Sequence, residues 1–339
     1  MTEMNNKSNI SKELDKNIVY PLQISIETFH GCNARCGFCP VKLWSRPKGA
    51  MTDEVFETII EQIRDWAPQH SYQVTLMMNG EPLLDSSLEP RLSRCKEAKL
   101  PNVGFTTNGY FMNEKRATSI IGAAPDYVVF SFDSLDKDVY EGNRGRMNYE
   151  RTRDNIIGFI SKRNELNSQV RIVLRHVDFT GDEGDFEDYR LYFRDLLLEN
   201  LDEIQTTKVH NHGFMKSIKL ELGKGNFGTT CCDVPFNRLT IRHDGSVSLC
   251  PHDYNSKHDL GNVMQNDVLE LFNSNKFTDI RSLHKSGERN TLRICNVCDE
   301  PELDKDGNMF VKYTPSGKLF FSQNNVGFEY NKEREKVLG

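Results

Sequence analysis

A strand-type pattern recurs six times in the first two-thirds of this chain, and helical patterns separate its copies. The strand candidates are Leu22–Thr28, Gln73–Met78, Asn102–Thr106, Tyr127–Phe132, Arg171–Leu174 and Glu203–Thr207. Between them Thr52, Asp53 and Glu54 cap a helix on which Phe56, Ile59, Ile60 and Ile63 recur at helical spacing. Further helical patterns lie near Leu88–Ala98, Glu114–Gly122, Tyr149–Asn164 and Phe186–Glu199. Regular alternation of strand and helix calls for a parallel sheet with helices packed on it, and six units suggest an open, partial barrel. In such folds the reactive groups sit on loops at the carboxyl ends of the strands.

The loop after the first strand reads His30-Gly-Cys32-Asn-Ala-Arg-Cys36-Gly-Phe38-Cys39-Pro40, with thiols at C-x3-C-x2-C spacing. That spacing lets one short loop fold round one face of a soft-metal cluster. A [4Fe–4S] cluster has four irons and is usually held by four cysteine thiolates, so three on one loop imply an iron offered to something else. Structural zinc also takes cysteine-rich loops, but it favours two separated pairs of ligands.

Composition narrows the setting. A chain of 339 residues can bury one large core and carry a smaller domain beside it. Forty-three basic against 49 acidic residues leave a net charge of −6. That gives no reason to expect a nucleic-acid partner, because phosphate binding wants clustered cations in excess. No apolar run approaches the ~20 residues of a membrane span, and the polar N-terminus has no targeting core. A soluble, cytoplasmic protein without a membrane partner is the expectation, and in a reducing compartment the nine cysteines serve metal ligation rather than disulfides.

The cysteine loop after an apolar strand, with the aromatic Phe38 before its last thiol, resembles the signature of the radical S-adenosylmethionine (radical SAM) superfamily. The resemblance implies an α/β fold: a partial (β/α)6 TIM-like barrel over residues 20–215, after a tail at 1–19. It also implies that Cys32, Cys36 and Cys39 hold the catalytic cluster. Its open iron would chelate SAM, and reductive cleavage would give a 5′-deoxyadenosyl radical that takes a hydrogen atom from substrate. Met78-Asn79-Gly80-Glu81-Pro82 is similar to the family's GGE-type turn with Asn79 in place of the first Gly, so Gly80 and Glu81 are expected at the SAM amino group. Asn108, in Thr106-Thr107-Asn108-Gly109, is expected near the methionine end. Ser131 and Arg144 are expected at the ribose or carboxylate, where a guanidinium can donate two parallel hydrogen bonds; Arg146 competes with Arg144. The fifth strand would offer backbone to the adenine. On the loop after the sixth strand, His210, Asn211 and His212 are substrate candidates, with a plain solvated loop as the alternative.

The last third holds a second cysteine set. Cys231-Cys232 precedes a hairpin signal, Leu239 to Leu249 about Asp244-Gly245, which ends at Cys250-Pro251; Cys295-Asn-Val-Cys298 follows later. The turn brings thiols before and after it together, and Cys232, Cys250, Cys295 and Cys298 fit a fully ligated cluster, with zinc as the alternative. The arrangement resembles the SPASM/Twitch extension of radical SAM enzymes, in its shorter form with one auxiliary [4Fe–4S] cluster, as a smaller C-terminal α+β domain over residues 216–305. Cys232 is preferred to Cys231 for its spacing to Phe236, and no cysteine follows Cys298 to build another cluster. The extension at 306–339 carries a further hairpin signal, Met309–Tyr313 and Leu319–Ser322, to which no chemistry attaches.

A saturated cluster cannot cleave SAM, so its expected work is electron transfer or substrate binding. Taking a hydrogen atom from an alcohol or amine carbon leaves a radical that becomes a carbonyl or imine only by losing an electron and a proton. The expectation is therefore an oxidoreductase, dehydrogenase-like, acting on a sugar, aminocyclitol or similar small polar molecule and fed by an external flavodoxin- or ferredoxin-type donor. An epimerase, with the spare Cys231 as hydrogen donor, is the rival. Modification of a ribosomal peptide is another, less expected because only a short tail precedes the first strand where a leader-binding domain would stand. A non-catalytic iron–sulfur or zinc protein is the alternative of another class.

Overall fold

A computed structural model describes residues 18–66, 70–179, 181, 183–209, 230–299, 301 and 310–317. The elements run β1 (Gln23–Ile26), α1 (Asp53–Arg64), β2 (Gln73–Thr75), α2 (Leu88–Glu97), β3 (Val103–Thr107), α3 (Glu114–Gly122), β4 (Tyr127–Ser131), α4 (Lys137–Asn143) and α5 (Tyr149–Glu165). They continue β5 (Arg171–Asp178), α6 (Glu183–Arg194), β6 (Glu203–Lys208), α7 (Val234–Asn237), β7 (Arg238–Ile241), β8 (Val247–Ser248), α8 (Val268–Phe272), α9 (Asn275–Lys285) and β9 (Phe310–Tyr313).

Strands β1 to β6 pair in parallel and in sequence order, the core of a TIM-like partial barrel. Helix α1 shows how the outer layer is held. The Thr52 hydroxyl accepts the Val55 N–H at 3.3 Å, a cap of about 1 kcal/mol. Phe56, Ile59, Ile60 and Ile63 are buried on one face, each contributing ~1.5–3 kcal/mol by leaving water. Along the strands, apolar residues such as Ile24, Ile26, Phe105, Phe130 and Ile172 are fully buried. The alternate residues, among them Ser25, Thr75, Ser131 and Gln205, line an internal cavity of about 550 Å³.

Three features depart from the sequence reading. Strand β2 stops at Thr75 instead of Met78, because the chain leaves the ladder to set Gly80 beside Gly31 at the entrance to the cysteine loop. Strand β5 runs on to Asp178, since Arg175, His176 and Val177 keep pairing with β6 although their polarity hides the pattern. The expected C-terminal hairpin forms as β7 and β8, yet it does not stand apart: β7 pairs in parallel with β1 and extends the barrel sheet. At the other edge β9 pairs antiparallel with β6. Both outer edges of the six-strand core are thus paired, and the open edges of the sheet pass to the short strands β8 and β9. The proposed partner of β9, 319–322, lies outside the described residues.

Candidate active site

The cysteine loop leaves the carboxyl end of β1 and is clamped against α4. Arg35-Cys36 pairs antiparallel with Arg144-Gly145, and the Gly37 N–H donates to the Asn143 carbonyl at 2.8 Å. Cys32, Cys36 and Cys39 all face the upper cavity. Burial pushes the Cys32 and Cys39 thiols up to about 12 and raises Cys36 as well. Such a trio keeps its protons unless a metal takes their place. Among the described residues no three His, Cys, Asp or Glu side chains converge where one metal ion would touch them all. A cubane asks for less convergence, because each thiolate meets its own iron at a different corner. An all-thiol, spread donor set therefore fits a cluster better than a single zinc ion.

The turn after β2 approaches this loop closely. A Cβ on Gly80 would stand 2.1 Å from the Phe29 carbonyl oxygen, so only glycine fits. Glu81 is buried, and burial raises its pKa. One of its oxygens accepts the Leu83 N–H at 3.0 Å and the Thr107 hydroxyl at 2.5 Å; the other accepts the Asn108 N–H at 2.8 Å. Glu81 therefore fixes the loop after β3 while facing the cavity. Asn108 donates to Asn33 at 3.0 Å, on the cysteine loop itself. Ser131 faces the same cavity from the end of β4.

Arg144 lines the cavity too, but its guanidinium is already gripped by both oxygens of the buried Asp133, one at 2.7 Å. Burial would lower its pKa; Asp133 and Cys36 overcome that and hold it above its ordinary value. The same guanidinium lies 5.4 Å from the centre of the Phe38 ring. Asp133 was visible in the sequence beside Ser131, yet nothing there marked it as the partner of Arg144. A second unforeseen group is Glu27, at the end of β1. Its carboxylate accepts from Arg46 at 2.7 Å and contacts His30 and His243 at 3.1 and 3.2 Å. This buried set joins the cysteine loop to the β7–β8 turn. The substrate candidates His210, Asn211 and His212 lie outside the described residues.

Cys232, Cys250, Cys295 and Cys298 line one small cavity of about 20 Å³ below α9. Two residues with no sequence signal support it. Arg289, buried, donates from Nε to the Thr230 carbonyl at 2.6 Å and from its terminal nitrogens to the carbonyls of Cys295 and Cys298. His284 accepts the Cys232 N–H at Nδ1, 3.3 Å away, and its Nε2 lies 3.7 Å from the Cys295 sulfur. Burial, helped by Arg289, lowers its pKa to about 4. A neutral ring accepting at Nδ1 carries its proton on Nε2, pointed at that sulfur. Four thiols with a donor aimed at one of them fit a fully ligated cluster. Cys231 is absent from both cavity linings; its sulfur lies 3.8 Å from the Cys232 carbonyl oxygen. His252 lines both cavities.

Comparison with known proteins agrees with this geometry. Residues 26–205, more than half of the chain, match the Radical SAM superfamily, and residues 231–299 match the SPASM iron-sulfur cluster-binding domain. The chain belongs to the radical SAM superfamily and is a radical SAM enzyme with an iron–sulfur SPASM domain. It is 23% identical over 281 residues to the S-adenosyl-L-methionine-dependent 2-deoxy-scyllo-inosamine dehydrogenase of Niallia circulans, covering 81% of this chain and 92% of that one. Its fold resembles BtrN in complex with AdoMet and 2-DOIA, with a TM-score of 0.57, 19% identity and coverage of 83% and 93%. It also resembles Streptococcus suis SuiB bound to S-adenosylmethionine (0.59, 18%, 94% and 80%) and anSMEcpe with bound AdoMet (0.61, 18%, 94% and 97%). No helix among the described residues is long and apolar enough to cross a membrane.

Proposed function

We propose that this enzyme oxidises a small polyhydroxylated molecule, turning an alcohol or amine carbon into a carbonyl or imine. The observation that supports the reading is the four-thiol cavity beside the barrel, which has His252 in common with the lining of the main cavity. When bound, the two clusters would supply one-electron chemistry, the first reductive cleavage of SAM and the second an acceptor for the electron the substrate radical gives up as its proton passes to solvent. Cys32, Cys36 and Cys39 would hold the first cluster and Cys232, Cys250, Cys295 and Cys298 the second, one over residues 20–215 and the other over 216–305. Gly80, Glu81, Asn108, Ser131, Arg144 and Phe38 would seat SAM, with Glu81 keeping the Thr107 and Asn108 loop in place and Asp133 aiming Arg144. Phe38, Val41 and Trp44 wall the upper cavity. An external flavodoxin- or ferredoxin-type protein would provide electrons. The likeness to an aminocyclitol dehydrogenase over 81% of this chain supports a small substrate. Peptide modification is the second reading, because the fold also resembles SuiB, which has been solved with its precursor peptide.

Anaerobic reconstitution should give about eight irons per chain, four in each cluster. Cys250→Ala should lower this to about four, keep 5′-deoxyadenosine formation and lose the oxidised product. Turnover in deuterated water tests the reaction type: solvent deuterium at an inverted carbon would mean an epimerase and defeat this proposal.

A further inference from the structure

The inner face of β5 carries Arg171 and Arg175 in line with Val173 and Val177, where barrels of this kind ordinarily place bulky aliphatics. Arg238 of β7 and Lys312 of β9 face the same space. Below the residues that would seat SAM, these four cations share the cavity lining with a single carboxylate among the described residues, Glu203.

That carboxylate is already engaged. It accepts the Gln205 amide at 2.5 Å and lies 3.7 Å from the Lys312 ammonium. Arg175 meets the neutral Gln205 oxygen at 3.1 Å, and Arg238 meets the neutral Gln23 oxygen at 2.8 Å. Arg171 lies 5.7 Å from the centre of the Tyr127 ring. Its Nε is buried without a hydrogen-bond partner, and among the described residues it makes no ion pair. Arg175 is pulled below its ordinary pKa by burial, with Arg238 adding to the effect against the opposing pull of Glu203, Tyr127 and Asp133. Gathering like charges round a buried space costs stability unless a bound group supplies the missing charge. Arginine suits a planar or tetrahedral oxyanion because it donates two parallel hydrogen bonds.

We propose that the substrate carries an anionic group, a phosphate ester or a carboxylate, which Arg171, Arg175 and Arg238 hold in the lower barrel. The proposal rests on the oxidation of a small polyhydroxylated molecule and narrows its class. A free amine, cationic at neutral pH, would be disfavoured in the same place.

The test uses the reconstituted, SAM-loaded holoenzyme and probes that need no knowledge of the carbon skeleton. Phenylglyoxal modification of individual arginines is followed by peptide mass mapping, with inorganic phosphate, acetate or ammonium present. Phosphate or acetate should slow modification of Arg171 and Arg238 at least roughly fivefold, and ammonium should not. Protection by phosphate alone assigns a phosphorylated substrate, and protection by acetate assigns a carboxylate. Arg171→Gln should weaken phosphate or acetate binding by about tenfold, while Arg171→Lys, which keeps the charge, should recover most of it. Equal modification with and without either anion overturns the proposal, as does a Gln variant that binds them as the parent does. The deuterium experiment reads reaction type alone, so an uncharged substrate would leave the oxidation standing.

Discussion

Replacing Gly80 by alanine tests how tightly the turn after β2 is fitted to the cysteine loop. The new Cβ would lie 2.1 Å from the Phe29 oxygen and 3.1 Å from the Gly31 oxygen, both backbone atoms in the segment that leads from β1 to Cys32. Carbon and oxygen do not pack closer than ~3.3 Å, so the two segments must part by roughly 1 Å. Neither neighbour is a flexible side-chain end, and the Glu81 N–H to Gly31 carbonyl bond of 2.8 Å crosses the same gap. Forced repacking of this kind costs ~1–3 kcal/mol. A displacement of about 1 Å at groups that position substrate can cost ~10²-fold in rate. The matched control is Gly158→Ala on the exposed face of α5, where an added Cβ meets nothing within 4 Å. It should stabilise by ~0.5–1 kcal/mol, as alanine does in a helix interior. Thermal unfolding, iron content and 5′-deoxyadenosine formation are measured on both variants. A Gly80→Ala protein that unfolds with the parent and cleaves SAM at the parent rate would refute the reasoning.

Asp133→Asn keeps the volume but strips the buried counter-charge from Arg144, so unfolding should become easier by ~3–5 kcal/mol. Chemical denaturation reads this, and a loss below about 1 kcal/mol would mean Arg144 has another counterion. Glu27 is held below the usual carboxylate range: burial would raise it, but hydrogen bonds with His243, His30 and Arg46 win. A carboxylate lowered in the folded state adds stability above the ordinary value of 4.5 and loses it as pH falls below that. Unfolding free energy should therefore drop steeply on acidification, and Glu27→Gln should flatten the slope; parallel curves for parent and variant would contradict this. Cys36→Ala should abolish SAM cleavage and leave the irons of the auxiliary centre, counted by anaerobic iron assay.

The alternation of strand and helix was legible because each strand hides one apolar row against helices, as Ile24 and Ile26 do. The thiols announced themselves by spacing, and the fold sets Cys232, Cys250, Cys295 and Cys298 round one cavity although they are spread from position 232 to position 298. What stayed hidden depends on pairing between distant segments. Asp133 and Arg144 are ordinary residues until β4 and the end of α4 meet, and Glu27 becomes a hub only when His243 is folded back onto it. Arg289 and His284 lacked any motif because their work is done on backbone carbonyls, a backbone N–H and a thiol that only the fold brings near. The tail of β5 was missed for the reason that makes it interesting: charged residues there interrupt the apolar rhythm that marks a strand.

The two family matches part between β6 and β7, but the hydrogen bonds do not, since β7 lies along β1 and β9 along β6. A seam in ancestry is thus not a seam in folding. Cutting the chain there would bare a ladder on each flank of the cylinder, leaving a fragment prone to stick to its own kind rather than a working half-enzyme.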